Sequence, residues 1–209
     1  AISESDKSKP RFVALDIGPI GEMLEPMGTL SFDRAYEIFK RQAIQGEKSG
    51  ANLIIIETMM DLYEAKAAVL AAKENTNLPV FCTMTFDENG RSFTGCMQES
   101  MVATIEGLGV DSIGVNCSLG PKQLIPIVEK ISKMATVPVI VQANAGLPDI
   151  VNGQAIYNVD SGEFFIGVEK FVQLGASIIG GCCGTNPEFI KKISDNISIL
   201  KKVEIEKNN

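Results

Sequence analysis

The sequence predicts an α/β fold of parallel strands, and three observations carry that prediction. Six short runs are apolar on both faces, each is followed by a longer stretch of helical period, and several helix-to-strand joints share one glycine phrase. Runs apolar on both faces read as strands buried between layers. Strand then helix, repeated along a chain, is the α/β pattern.

The first run, Phe-Val-Ala-Leu at 12–15, precedes a helix predicted over 31–49, with Ser31 as N-cap and Gly50 just past its end. Leu-Ile-Ile-Ile at 53–56 is the second strand and leads to a helix over 61–75. Strands at 80–84, 112–115, 137–141 and 177–179 follow, with helices over 100–108, 121–135, 163–174 and 187–196. Gly50, Gly109 and Gly175 each sit where a helix must take a left-handed residue before the next strand. The strands start on average 33 residues apart. Eight such units would need about 250 residues, the usual size of a closed (β/α)8 barrel.

The chain has 209 residues and holds six units. The residues alone leave two architectures open, a doubly wound sheet or a (β/α)8 TIM-type barrel lacking its first two units. A truncated barrel has two unpaired parallel edges, which predicts instability, oligomers or strand exchange. No low-complexity linker divides the chain, so one domain over 1–209 is expected, its polar 197–209 end being a helix end or linker. The start, Ala1 to Lys9, has neither a Met nor a signal-peptide core, so the chain is expected to begin inside a longer parent.

Nineteen Lys and Arg against 26 Asp and Glu give a net charge of −7. That balance argues against nucleic acid and against an anionic membrane surface, both of which need a basic footprint. No apolar run approaches the roughly 20 residues of a membrane span. The chain contains no histidine, which removes Ser-His-Asp and Cys-His nucleophile pairs, imidazole bases and His-containing metal sites. Five cysteines, an odd number, do not read as a secreted disulfide framework and point to a reducing cytoplasm.

The strongest constellation is Gly-Val-Asn-Cys-Ser at 114–118 together with Gly-Gly-Cys-Cys-Gly at 180–184. Both phrases fall at carboxyl ends of predicted strands, where ligands collect in parallel α/β folds. Cys117, Cys182 and Cys183 can therefore meet, and three thiolates with one open position make a catalytic zinc site. The residues alone leave the plainer reading open too, with Cys182 and Cys183 as small apolar residues in a glycine turn.

These phrases carry a resemblance. Gly114 to Pro121 followed by Gly180 to Thr185 is similar to the homocysteine S-methyltransferase family, and within it to the homocysteine-binding module of cobalamin-dependent methionine synthases. Ile17 to Gly21, Ile56 to Met59 before Asp61 to Ala65, Met84 to Asp87, Gly90 to Gly95 and Gln142 to Gly146 agree with it, in the family's order. The resemblance implies a (β/α)8 barrel whose first two strands are absent here. It implies Zn2+ on Cys117, Cys182 and Cys183, with homocysteine bound as thiolate and methylated to methionine. The implied donor is methylcobalamin fed by methyltetrahydrofolate, held by cobalamin- and folate-binding modules elsewhere in the same chain or on another. Betaine or S-methylmethionine as donor, and a fragment that binds zinc or homocysteine without turnover, are the alternatives.

Glu57 ends a strand of apolar residues and is expected at the barrel mouth, where a carboxylate can hold the substrate ammonium. Asn116, beside Cys117, is expected to bond the substrate or a metal ligand. Thr85, Asn144 and Gly146 also sit at strand ends, where backbone amides can receive a substrate carboxylate. Gly18 to Gly21 lacks the spacing and lysine of a phosphate loop. Cys82 reads as core and Cys96 as loop, and Glu99, Glu106 and Asp111 read as a solvated face.

Overall fold

The computed structural model describes residues 9–200. Strand β1 (Ala14–Ile17) leads to α1 (Phe32–Lys48), β2 (Leu53–Met59) to α2 (Leu62–Asn75), and β3 (Val80–Met84) to α3 (Gln98–Met101), which runs on as a π-helical turn, Val102–Glu106. Strand β4 (Ser112–Asn116) leads to α4 (Pro121–Met134). Strand β5 (Val139–Ala143) is followed by a hairpin, β6 (Pro148–Val151) and β7 (Gln154–Tyr157), and then by α5 (Ser161–Gln173). Strand β8 (Ala176–Gly181), α6 (Pro187–Asn196) and a 3-10 turn, Ile197–Ile199, complete the described chain. The end predicted over 197–209 thus starts as that turn, and 201–209, like 1–8, lie outside the described residues.

Six strands form one parallel sheet in the order β1-β2-β3-β4-β5-β8. A doubly wound sheet reverses its order at a switch point; this one never does, which excludes that alternative. With every crossover of the same hand, the helices gather on one face, where α1 packs on α2, α4 on α5 and α5 on α6. Among the described residues β1 and β8 remain the two ends of the sheet. This is the six-unit α/β fold expected of a barrel without its first two units.

The register separates the two faces. Gly46 of α1 lies against Leu15, so Leu15, Ile17 and their partners Ile54 and Ile56 face the helices. That face continues through Val80 and Cys82 to Ile113, Val115, Val139 and Val141, all buried. Helix α2 fits beneath it because Ala65, Ala67, Ala68, Ala71 and Ala72 are small and fully buried. The opposite, inner face turns polar toward the carboxyl ends, with Asp16 on β1, Glu57 on β2, Thr83 on β3, Asn116 on β4 and Gln142 on β5.

Four local expectations are corrected. Strand β1 starts at Ala14 rather than Phe12, and Phe12 and Val13 are 68% and 47% exposed, because no element among the described residues packs over the first half of that apolar run. Strand β2 continues three residues past Ile56, through a register shift beyond that residue. The helix expected over 100–108 begins at Gln98 and changes to π geometry at Val102. The hairpin was not anticipated. Its turn is Asn152-Gly153 with φ of 52° and 77°, and Asn-Gly with both residues left-handed suits the twist of a two-residue hairpin.

Glu106 and Asp111 are more than a solvated face. Glu106 accepts from the Thr136 backbone amide and hydroxyl, and Asp111 accepts from the Val80 amide at 2.8 Å and from Lys73 at 3.3 Å. Each carboxylate ties successive α/β units together. No helix among the described residues is long and apolar enough to cross a membrane.

Candidate metal centre

The three cysteines meet because both strand ends leave regular geometry at the same point. Past β4, Cys117 and Ser118 adopt φ of 59° and 60°, a left-handed turn that non-glycine residues hold only when their surroundings fix it. The Cys117 amide donates to the Gln142 carbonyl at 3.0 Å, so the turn is anchored on β5. Past β8, the Cys182 amide donates to the Ala143 carbonyl at 2.8 Å and the Cys183 amide to Asn144 Oδ1 at 3.1 Å. Gly184, with φ of 78°, then turns the chain away, and a Cβ there would lie 2.3 Å from Cγ of Tyr157. The bend lets adjacent cysteines face one centre, against the alternation of a regular strand.

The three Sγ atoms lie within 4.8 Å of one another, and Cys117 Sγ and Cys183 Sγ are 3.7 Å apart. Four sulfurs about 2.3 Å from a tetrahedral zinc sit about 3.8 Å from each other. The cluster therefore has the donor type and span that zinc takes, and among the described residues it is the one group of three such side chains. The Cys117 thiol is lowered to about 5, first by the hydrogen bond from Cys182 and against burial, with the Ser118 amide and Cys183 helping. The same bond pushes the Cys182 thiol up. Cys82 is different, since burial raises it to about 12 and leaves it an inert core thiol. Cys96, partly buried in the loop after β3, is also raised by burial.

Asn116 is 0% exposed, and its amide is fully engaged. Its Oδ1 accepts from the Thr58 amide at 2.8 Å and the Thr83 hydroxyl at 2.7 Å; its Nδ2 donates to Thr58 Oγ1 at 2.7 Å and lies 3.9 Å from Cys182 Sγ. Asn116 is therefore a strut between the end of β2 and the sulfur cluster, in keeping with the expected bond to a candidate metal ligand. Thr58, which sequence reasoning missed, needs that strut because its φ is 59°.

Glu57 stands just before Thr58 on the inner face. Its carboxyl is raised above the ordinary value, first by burial and then by the Asp16 carboxylate, while Gln142 Nε2 donates to it at 3.3 Å. The amides expected to receive a carboxylate at two strand ends are already in use, since Thr85 N donates to the Met59 carbonyl and Asn144 N to the Leu119 carbonyl. Asn144 works through its side chain on Cys183, and the Thr85 residue is buried. Gly146 has φ of 100°, and a Cβ there would meet Val159 at 2.7 Å, which accounts for glycine at that position. In the loop after β1, the Ile20 amide donates to Glu64 at 2.7 Å, a carboxylate where an anion site would need a cation. Gln142 and Tyr157 were also missed. Gln142 was legible as the polar residue of an apolar strand, whereas nothing in the sequence pointed Tyr157 at Gly184.

A model of the homocysteine S-methyltransferase family matches residues 1–197. Methionine synthase of Mycobacterium leprae (strain TN) is 33% identical over 190 residues, covering 88% of this chain and 16% of its own length. Methionine synthase of Mycobacterium tuberculosis (strain ATCC 25618 / H37Rv) is 31% identical over 202 residues, covering 94% of this chain and 17% of its own. The chain thus spans about a sixth of these curated relatives. Among solved structures, the apo form of the homocysteine methyltransferase MmuM from Escherichia coli superposes with a TM-score of 0.75 at 19% identity, covering 93% of this chain and 65% of that one. Its metallated form gives 0.72 at 20% identity. At such identities the likeness shows the fold.

Proposed function

Because the chain belongs to the homocysteine S-methyltransferase family, we propose that it is the thiol-activating module of a methionine-forming methyltransferase, with Cys117, Cys182 and Cys183 as ligands of one Zn2+. The observation that carries this is the convergence of three Sγ atoms within 4.8 Å from two strand ends 65 residues apart in sequence. Zinc on three thiolates keeps a fourth position for a ligand and holds a thiol there as thiolate, the nucleophile that methyl transfer needs. No side-chain base is then required, which suits a chain without histidine.

The chain's own residues do the rest. Asn144 holds the Cys183 amide and Asn116 holds the Cys182 sulfur, so the cluster is set before a metal enters. Glu57, half-buried on the same inner face, presents a carboxylate to the α-ammonium of homocysteine. Thr85, Asn144 and Gly146 shape the neighbouring strand ends from within, Asn144 through the Cys183 amide, and Asn116 serves from behind. The methyl donor in this reading is methylcobalamin, recharged from methyltetrahydrofolate, and both are held by modules elsewhere in the same or another chain. The likeness to methionine synthases supports that donor over betaine or S-methylmethionine. All five cysteines are unpaired, which suits a cytoplasmic setting.

A second reading, in which residues 1–209 bind zinc and homocysteine without turnover, is favoured by the inner side of β1, where Ala14 and Asp16 are exposed. Two measurements separate the outcomes. About one zinc per chain by elemental analysis, retained with homocysteine and lost in Cys117→Ala, is expected of a three-thiolate zinc centre with an open position. A zinc-free wild type overturns the proposal. Methionine formed from homocysteine and free methylcobalamin then distinguishes an active module from a binding fragment.

A further inference from the structure

Zinc on Cys117, Cys182 and Cys183 with a substrate thiol in the open position gathers four thiolates, and an incoming methyl electrophile can attack any that it reaches. Cys183 is the ligand most open to such attack, since it is exposed whereas Cys117 and Cys182 are partly buried. The structure sets a donor against each ligand sulfur. Cys182 has Asn116 Nδ2 at 3.9 Å, and Cys117 has the Ser118 amide and the Asn144 side chain. For Cys183 the donor is Tyr157, at the end of the β6–β7 hairpin.

Tyr157 is fixed there by its ring and by the backbone that follows it. The ring lies over Gly184, next in sequence to Cys183, so closely that a Cβ on Gly184 would stand 2.3 Å from Tyr157 Cγ. Two residues on, the Val159 amide donates to the Ala145 carbonyl at 3.1 Å, and the Ala145 amide donates to the Cys183 carbonyl at 2.9 Å. The phenol hydrogen-bonds the Cys183 side chain; burial, that bond and the charge of the three sulfurs hold its proton. A phenol carries its proton at neutral pH and so donates to a thiolate. Hydrogen bonds to metal-bound groups tune their electron density. We propose that Tyr157 is a positioning residue that shields Cys183 Sγ, its O–H occupying a sulfur lone pair so that methyl goes to the substrate's sulfur and not to the exposed ligand. This rests on the reading of the three cysteines as zinc ligands and deepens it.

The test treats zinc-loaded protein with methyl iodide in the absence of substrate, with peptide mass spectrometry to place each methyl group and Cys96 as internal reference. A Cys183 lone pair forms the S–CH3 bond as the C–I bond breaks and iodide leaves with its electron pair. In wild type, Cys183 is expected to be methylated no faster than Cys117, against the order that exposure alone sets; Cys183 reacting many times faster overturns the proposal. Tyr157→Phe keeps the ring on Gly184 and removes the hydroxyl. Methylation of Cys183 should then rise about tenfold relative to Cys96, the effect of one hydrogen bond, with zinc content and circular dichroism unchanged. An unchanged rate at Cys183 in the zinc-loaded variant, or a rise shared by all three ligands, overturns the assignment and leaves zinc ligation standing. Where Tyr157→Phe loses zinc or folds poorly, the wild-type order decides. Wild type that holds no zinc overturns both readings.

Discussion

Replacing Asn116 should damage the protein more than replacing any one of the zinc ligands, and the size of the effect follows from its bonds. Asn116→Ala removes the acceptor of the Thr58 amide and of the Thr83 hydroxyl, bonds of 2.8 and 2.7 Å. Both donors lie where water has little access, and each orphaned buried donor costs about 1–3 kcal/mol. Thr58 also loses what holds it at a φ of 59°, a conformation that costs roughly 1 kcal/mol or more outside glycine. The sum is about 4 kcal/mol, a large part of the 5–15 kcal/mol that stabilises an ordinary domain. For a chain of this size that is a fall in Tm of roughly 8–16 °C. Thr83→Val removes only the hydroxyl donor and leaves the Thr58 amide on Asn116 Oδ1, so its fall should be less than half as large. The assay is urea or thermal unfolding of the zinc-free protein, where metal binding cannot mask the change. Equal losses for the two variants, or a loss under 1 kcal/mol for Asn116→Ala, would refute the argument that acceptor bonds to β2 and β3 are what this side chain supplies.

Three further outcomes are expected. Changing Cys117, Cys182 or Cys183 singly to Ala should abolish zinc binding and activity while far-ultraviolet circular dichroism stays unchanged, and activity surviving in a zinc-free variant would count against thiolate ligation. Gly184→Ala forces a left-handed alanine at φ 78° against the Tyr157 ring, so stability should drop by about 2 kcal/mol and hydrogen exchange should quicken in the β6–β7 hairpin; unchanged exchange refutes the contact. Glu57 is raised above its ordinary value near 4.5, first by burial and then by Asp16, so its folded form binds the proton more tightly than the unfolded chain does. Its contribution to stability is therefore full below about 4.5 and is lost as pH rises through the folded value. Glu57→Gln should flatten that part of the profile and gain on wild type toward neutral pH, which urea midpoints from pH 4 to 8 would show.

The strand series was legible because a strand buried on both faces has a compositional mark that needs no partner to be read, and Leu-Ile-Ile-Ile or Val-Phe-Cys-Thr-Met carries it whole. Helix ends with their own chemistry were legible too, since Ser31 caps α1 through its side chain and Gly50 takes the left-handed turn after it. Phe12 and Val13 misled because composition marks what can be buried, whereas burial depends on whether another element covers it. The hairpin was missed although Asn152-Gly153 announced it, because the six-unit period drew residues 148–157 into a connecting loop. At the site, the three cysteines could be found from identity and from their place at strand ends. The link from Asn116 to a cluster sulfur was legible in its place beside Cys117, but its bond to Thr58 and the bond of Gln142 to Glu57 were not, because they reach β2, 58 and 85 residues away in sequence.

Those two long bonds define how the inner face works. Asn116 joins the left-handed residue after Glu57 to a sulfur of the cluster, and Gln142 joins the Glu57 carboxylate to the strand whose carbonyl receives the Cys117 amide. The group proposed to hold the substrate's charge and the groups proposed to hold its sulfur thus belong to one hydrogen-bonded unit across β2, β4, β5 and β8. Such a unit is ordered before any ligand arrives, so binding does not have to supply the ordering, and preorganisation of this kind separates one substrate from another at fixed contact area. A loose site could hold a metal by its sulfurs alone. Selecting an amino-acid thiol by both ends requires carboxylate and sulfurs to be held together, and one asparagine and one glutamine tie Thr58 and Glu57 of β2 to the strands that carry the sulfurs.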